Sequence, residues 1–259
     1  MKLLELFSGT HSIGKIATKK GYEVISLDRD LPANINEDIM TWNYKIYPPK
    51  YFDIITASPV CLWWSNLRTC WVGRRSKTIH PTDIITLDIL DNDIKKYGIP
   101  MVDKVIEIIK YFKPKYWWIE NPQTGKMKNY FNTMEYSNEF NNYYDVDYCK
   151  YSEWGYQKRT RFWTNIKNFK PKKCKKDCDN LIKRSNSLVH KNNLGGNNWI
   201  IIDGKSINCK NKELREKYKD LIKNAAGGEN VRHTTKLDRY RIPSKLIEEL
   251  LDLCLITKL

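Results

Sequence analysis

Along the first two thirds of the chain, short apolar runs alternate with stretches whose apolar residues recur at helical spacing. Lys2–Phe7, Tyr22–Leu27, Phe52–Ala57 and Tyr116–Ile119 are compact apolar runs, closed by Ser8, Asp28, Ser58-Pro59 and Glu120-Asn121-Pro122. Short apolar runs ended by turn formers predict strands. Ser12–Lys20 predicts a helix stopped by Gly21, and Val102, Val105, Ile106 and Ile109 predict another across Met101–Phe112. Tyr143–Tyr148 and Arg161–Ile166 continue the strand pattern. Alternation of this kind predicts an α/β fold, a mostly parallel sheet with helices on both faces.

The pattern breaks near Asn168. The segment KNFKPKKCKKDCDN is basic and lacks apolar periodicity, and residues 168–235 hold Lys, Asn and Gly clusters with one strand-like piece at Trp199–Asp203. A small irregular basic subdomain is expected there. Beyond Arg241-Ile242-Pro243, Ser244–Leu255 reads as a helix, with Pro243 just before or at its start. Its stripe of Leu246, Ile247, Leu250, Leu251 and Cys254 is expected to pack back on the sheet. No internal repeat is present.

Charge adds a partner to this picture. The chain of 259 residues carries 45 Lys+Arg against 30 Asp+Glu, a formal charge of +15, which predicts attraction to polyanions and above all to nucleic acid. No stretch is long and apolar enough to span a bilayer, and MKLLELFSGT reads as a first strand rather than a signal peptide. Seven cysteines at irregular spacing argue against a secreted disulfide framework. An intracellular, reducing setting is expected.

Candidate chemistry gathers where the strands end, the edge at which open α/β sheets bind ligands. The run Phe52–Ala57 leads straight into Ser58-Pro59-Val60-Cys61, which places a thiol at that edge. A thiol is nucleophilic as thiolate, and nearby cations lower its pKa. Phe7-Ser8-Gly9-Thr10-His11-Ser12-Ile13-Gly14 is a Gly-containing turn into a helix, whose N-terminus supplies free N–H groups. Asp28 ends the second strand, placed for ribose hydroxyls, and Asp38-Ile39 follows on a third loop. Glu120 ends a strand beside the one that carries Cys61 and is an acid/base candidate. Gln157, Arg159 and Arg161 alternate, so an extended backbone projects them to one side.

Taken in order, these segments resemble the S-adenosylmethionine-dependent cytosine-C5 DNA methyltransferases. That family's sequence of motifs is matched by Phe7-Ser8-Gly9, Asp28, Asp38-Ile39, Pro59-Val60-Cys61, Glu120-Asn121 and Gln157-Lys158-Arg159-Thr160-Arg161, across about two thirds of the chain. The segment after Ile242-Pro243 corresponds to the family's closing element beside the cofactor loop. Two positions depart from the pattern: His11 stands where Gly is usual, and Val60 where Pro directly precedes the nucleophile.

The resemblance implies a Rossmann-like catalytic domain over residues 1–167, a target-recognition-like region over 168–235 and a returning helix in 236–259. It implies S-adenosylmethionine as methyl donor, leaving S-adenosylhomocysteine, held by Phe7, Ser8, Gly9, Thr10, His11, Ser12, Ile13, Asp28, Arg29, Asp38, Ile39, Ser58 and Pro59. Cys61 becomes the nucleophile toward carbon 6 of cytosine. Glu120 holds ring nitrogen 3 protonated, and Arg161 with Arg159 holds the base carbonyl or Glu120 and favours thiolate. Ser65, Asn121 and Gln157 are assigned to the substrate side.

A base inside a duplex must be flipped to reach such a pocket. Leu62–His80, with Trp63, Trp64, Arg68, Trp71, Arg74 and Arg75, is expected to close over nucleic acid. DNA is the expected partner and a monomer the expected state. RNA as substrate, and a catalytically silent DNA-binding relative suggested by Val60, stay open as alternatives. Cys174, Cys178, His190 and Cys209 raise a structural zinc option, but Cys-x3-Cys with a distant His and Cys is loose beside paired CxxC signatures, and no metal ligand is assigned. Cys254 reads as a buried hydrophobe, and Cys70 and Cys149 carry no readable signal.

Overall fold

The computed structural model describes residues 1–133, 139–184, 187–191, 199–202, 205–208, 212–217 and 236–256. Six strands form one sheet: β1 (Lys2–Leu6), β2 (Glu23–Leu27), β3 (Ile54–Ala57), β4 (Tyr116–Pro122), β5 (Tyr143–Asp147) and β6 (Arg159–Thr164). Their order across the sheet is β2-β1-β3-β4-β6-β5. The first four run parallel, and β6 is antiparallel to both β4 and β5.

Side chains alternate across a strand, so β1 feeds two cores at once. Leu4 and Leu6 point into one, with Ile55, Ala57, Trp117 and Ile119, and that face is covered by α3 (Ile99–Phe112) through Val102, Val105, Ile106 and Ile109. Leu3, Ile54 and Trp118 point to the other face. There Ile13 and Ala17 of α1 (Ser12–Lys19) meet Leu246, Ile247, Leu250, Leu251 and Cys254 of the C-terminal helix, Ser244–Ile256. That helix is therefore part of the core, as its apolar stripe predicts. Each fully buried Leu in it contributes roughly 1.5–3 kcal/mol.

The basic region is more regular than its composition suggests. Among the described residues it holds two antiparallel hairpins, β7 (Leu181–Arg184) with β8 (Ser187–His190) and β9 (Trp199–Ile202) with β10 (Lys205–Asn208), and a short helix, Lys212–Lys217. These strands are only four residues long, too short for alternation to stand out against a Lys/Asn background. No described helix is long and apolar enough to cross a membrane.

Candidate active site

Because β1 to β4 are parallel, the loops that follow them emerge at one edge of the sheet. Ala57 of β3 lies opposite Ile119 of β4, so the Ser58–Cys61 turn and Glu120-Asn121 leave the sheet side by side. Asn121, almost wholly buried, donates from Nδ2 to the Pro59 carbonyl at 2.9 Å. The turn after β4 also grips the residues beyond the thiol. Lys126 N–H donates to Trp64 O at 2.7 Å, and the Thr124 carbonyl accepts from Asn66 Nδ2 at 2.5 Å. The chain on both sides of Cys61 is thus tied to β4. Val60 itself is 41% exposed.

Glu120 is buried and its Oε1 accepts the Tyr148 hydroxyl at 3.1 Å. Burial holds the Tyr148 phenol well above its ordinary pKa, so it stays a donor. The cation against Glu120 is Lys158, with Nζ at 3.5 Å from the same oxygen. Burial pushes the Cys61 thiol up, Lys158 pulls it down, and Glu120 raises it again.

The two arginines face elsewhere. Arg159 makes a bidentate pair with Asp147 at 3.1 and 3.1 Å, and Arg161 with Asp145 at 2.7 and 2.9 Å. The register explains this. Glu120 lies opposite Phe162 and Pro122 opposite Thr160, so Glu120 shares its face with the even-numbered positions that lead back to Lys158. Arg159 and Arg161 lie on the other side, opposite Asp147 and Asp145. The alternation read from the sequence is present and the guanidinium groups do share a side, but β5 answers them with its own carboxylates.

The loop expected to hold the cofactor is shaped by backbone conformation. Phe7, Gly9 and His11 all take left-handed φ, at 57°, 53° and 55°. His11 thus keeps a backbone that glycine adopts without strain, and its Nε2 meets the Pro32 carbonyl at 2.5 Å. Asp28 accepts from Gly9 N–H at 2.8 Å and from Asp30 and Leu31 N–H at 2.9 Å each. Those bonds join the loops after β1 and β2 and leave room for about one more donor among a carboxylate's roughly four acceptor sites. Arg29 bridges Asp30 and Asp38, and Asp38 accepts from Met40 N–H. Thr10 and Ser12 join hydroxyls at 2.9 Å, while the Ser8 hydroxyl is buried with no hydrogen-bond partner.

The helix N-terminus is not free, however. Glu5 on β1 accepts from Ile13 and Gly14 N–H at 3.1 Å each, and its burial pushes its pKa up to about 7. Gly14 is required there, because a Cβ would lie 2.6 Å from the Glu5 carboxylate. The returning segment closes this loop: Ile242 N–H donates to Ser12 Oγ at 3.2 Å, and Lys158 Nζ donates to Arg239 O at 3.0 Å.

No family model matches the chain. A curated relative, the "Probable DNA (cytosine-5)-methyltransferase" of Frog virus 3 (isolate Goorha), is 35% identical over 258 residues, 98% of this chain and 100% of the relative. The chain belongs to the cytosine-5 methyltransferase family. It is an enzyme of that activity. A solved methyltransferase of Entamoeba histolytica, EhMeth, matches 100% of this chain and 99% of its own with a TM-score of 0.51 at 13% identity, which agrees with the Rossmann-like fold.

In this methyltransferase, part of the expected nucleic-acid loop is core. Trp64 is 2% exposed and packs against Tyr130 and Gly98, where a Cβ would meet the indole at 3.0 Å. Trp63 stacks on Tyr97, and buried Arg68 pairs with Asp93, which also meets His80. Interleaved aromatics and cations fit a packed loop as well as a nucleic-acid surface, and here Tyr97, Gly98 and Tyr130 hold the two tryptophans while Asp93, at the end of α2 (Leu87–Asp93), holds Arg68. Ser65 accepts from Leu67 N–H and caps the turn that follows. Trp71, Arg74 and Arg75 stay partly or fully exposed.

Sequence reasoning misses Lys158, Tyr148 and Glu5. Lys158 sits between the residues of the Gln-x-Arg-x-Arg pattern, where the arginines draw the eye. A signal existed for the arginines' partners: Asp145 and Asp147 repeat the same alternation on β5.

Proposed function

We propose that this methyltransferase acts on cytosine in DNA, with S-adenosylmethionine as donor, through a covalent Cys61 adduct on a flipped base. One arrangement carries the reading: a thiol-bearing turn hydrogen-bonded to the end of β4 that presents Glu120, with Lys158 set against that carboxylate from the position directly before β6. The charge of +15 and the wording of the viral relative's description support DNA.

Phe7–Ile13, Asp28, Arg29, Asp38, Ile39, Ser58 and Pro59 would hold the donor. The unpartnered Ser8 hydroxyl and the remaining acceptor site of Asp28 suit a ligand rich in hydroxyl and amino groups. When bound, S-adenosylmethionine supplies an electrophilic methyl group.

The protein's task is to make carbon 5 reactive. Cys61 thiolate adds to carbon 6, which breaks the 5,6 double bond and renders carbon 5 enamine-like. Glu120 holds ring nitrogen 3 protonated and so takes up the electron density that the thiolate pushes into the ring. Lys158 favours the thiolate and orients Glu120. Asn121 fixes the turn, and Gln157 and Ser65 line the substrate side. Arg159 and Arg161 brace β6 against β5 and so aim Lys158. Loss of the carbon-5 proton restores the double bond and expels Cys61. Flipping costs a few kcal/mol, and Trp71, Arg74 and Arg75 are placed to stabilise the opened duplex.

The test is tritiated-methyl transfer to DNA and RNA side by side. Label on DNA cytosine is expected, lost in Cys61→Ala with donor binding retained. Label on RNA alone, or full activity of Cys61→Ala, sinks the reading. Strong DNA retention without turnover sinks it as well.

A further inference from the structure

Outside the catalytic centre, Cys149, Cys174, Cys178 and His190 bring their four ligand atoms within 4.8 Å of one another. They come from separate parts of the chain. Cys149 sits in the turn Tyr148–Lys150 that follows β5, Cys174 and Cys178 in the basic loop after β6, and His190 at the end of β8. The Cys174 and Cys178 sulfurs are 3.6 Å apart, and His190 Nε2 is 3.6 Å from the first and 3.5 Å from the second. A disulfide would hold sulfurs at about 2.05 Å, so this is not one. Tetrahedral zinc, with bonds of about 2.3 Å to sulfur and about 2.05 Å to nitrogen, separates sulfurs by about 3.8 Å and sulfur from nitrogen by about 3.6 Å. The spacings among Cys174, Cys178 and His190 match that tetrahedron, and the Cys149 sulfur lies within 4.8 Å of each of them.

The surroundings hold the ligands in place. Asp147 accepts from Cys174 N–H at 2.8 Å while Arg159 grips its carboxylate. Lys150 Nζ donates to Asp177 O at 3.1 Å and so ties the Cys174–Cys178 loop to the β5 turn. Asn180, buried, donates to the Cys149 and Ser152 carbonyls at 2.8 and 2.7 Å and accepts from Gly155 N–H at 3.0 Å. Lys176 takes a left-handed φ of 62°, which folds the loop back on itself.

We propose that Cys149, Cys174, Cys178 and His190 form a closed structural zinc site. Three thiolates and one imidazole fill all four positions, leaving none for substrate or catalytic water. Binding displaces three thiol protons into solution. The ion would staple the β7–β8 hairpin to the end of β5, and through Asp147 and Arg159 to the start of β6, directly after Lys158. Cys209, the fourth ligand suggested by spacing, lies outside the described residues. Cys149 takes that place because the turn after β5 carries it to the cluster, a proximity that linear spacing does not encode.

Elemental analysis of the full chain, purified from zinc-supplemented cells and dialysed, is expected to give one zinc per chain. Anaerobic exchange for cobalt should produce thiolate charge-transfer bands in the near ultraviolet and the intense visible bands of a four-coordinate ion. Cys149→Ser and His190→Ala should lose both signals, and Cys209→Ser should keep them. A chain that neither retains zinc nor gives the tetrahedral cobalt spectrum overturns the site. Retention in Cys149→Ser with loss in Cys209→Ser overturns the ligand set. The cobalt spectrum of the unmutated chain decides the matter if a variant fails to fold.

Discussion

Asn121→Ala isolates what holds the nucleophile's turn. The side chain is almost fully buried and gives its amide to the Pro59 carbonyl at 2.9 Å, two residues before Cys61. Truncation leaves that carbonyl unpaired in a dry site, at about 1–3 kcal/mol. If the bond serves to aim the thiol, the loss falls on the chemical step. At about 1.36 kcal/mol per decade, kcat should drop about 5- to 150-fold, with kcat/KM falling equally and donor affinity unchanged. The family pattern places Pro directly before the nucleophile, where Val60 is exposed. Val60→Pro narrows the same backbone from the other direction and should add about 0.4–1 kcal/mol of folding stability. Added to Asn121→Ala it should recover part of the lost kcat, because both residues restrict one turn. Single-turnover methyl transfer, with melting curves for all four members of the cycle, checks this. A stability loss with kcat intact, or strictly additive effects, would refute the idea that the two residues restrict one turn.

Lys158→Met removes the group that most lowers the Cys61 thiol, so the ascending limb of the kcat/KM–pH profile should move to higher pH, with activity at neutral pH reduced about tenfold and partly regained on raising the pH. An unshifted limb would place the activating cation elsewhere. Glu5, pushed up to about 7 from an ordinary 4.5, binds a proton in the folded state that the unfolded chain has already released between those values. Its contribution, about 3 kcal/mol at most, is present below pH 4.5 and lost as pH rises through 7. Melting temperature in Glu5→Gln should accordingly show a flatter slope from pH 5 to 7 than in the parent chain; an unchanged slope would assign it to other groups. Asp145→Asn and Asp147→Asn should lower stability by unpairing Arg161 and Arg159, and only Asp147→Asn should also weaken zinc retention, because only Asp147 meets Cys174. Equal zinc retention in the two variants would disconnect Asp147 from the metal.

The six strands of the main sheet, the helices over 12–19, 99–112 and 244–256, and the position of Cys61 and Glu120 at strand ends were legible in the chain itself. Apolar periodicity reports burial, and burial on both faces leaves continuous runs such as KLLEL and IITA. Loop chemistry was legible for the same local reason: Gly9 and Asp28 lie next to the strands that position them. Pairing across the sheet was not. Which face of β6 meets β4 depends on register, and a shift of one residue exchanges Lys158 for Arg159. The packing of Trp64 on Gly98 and Tyr130, the pairing of Arg68 with Asp93, and the meeting of Cys149 with Cys174, Cys178 and His190 also join residues distant in sequence. The sequence by itself thus determined the elements and the order of the chemical groups, because those follow from neighbours along the chain. Tertiary structure alone decided which cation faces Glu120, which aromatics are core and which cysteine completes the metal site, because each depends on contacts made across strands and between loops.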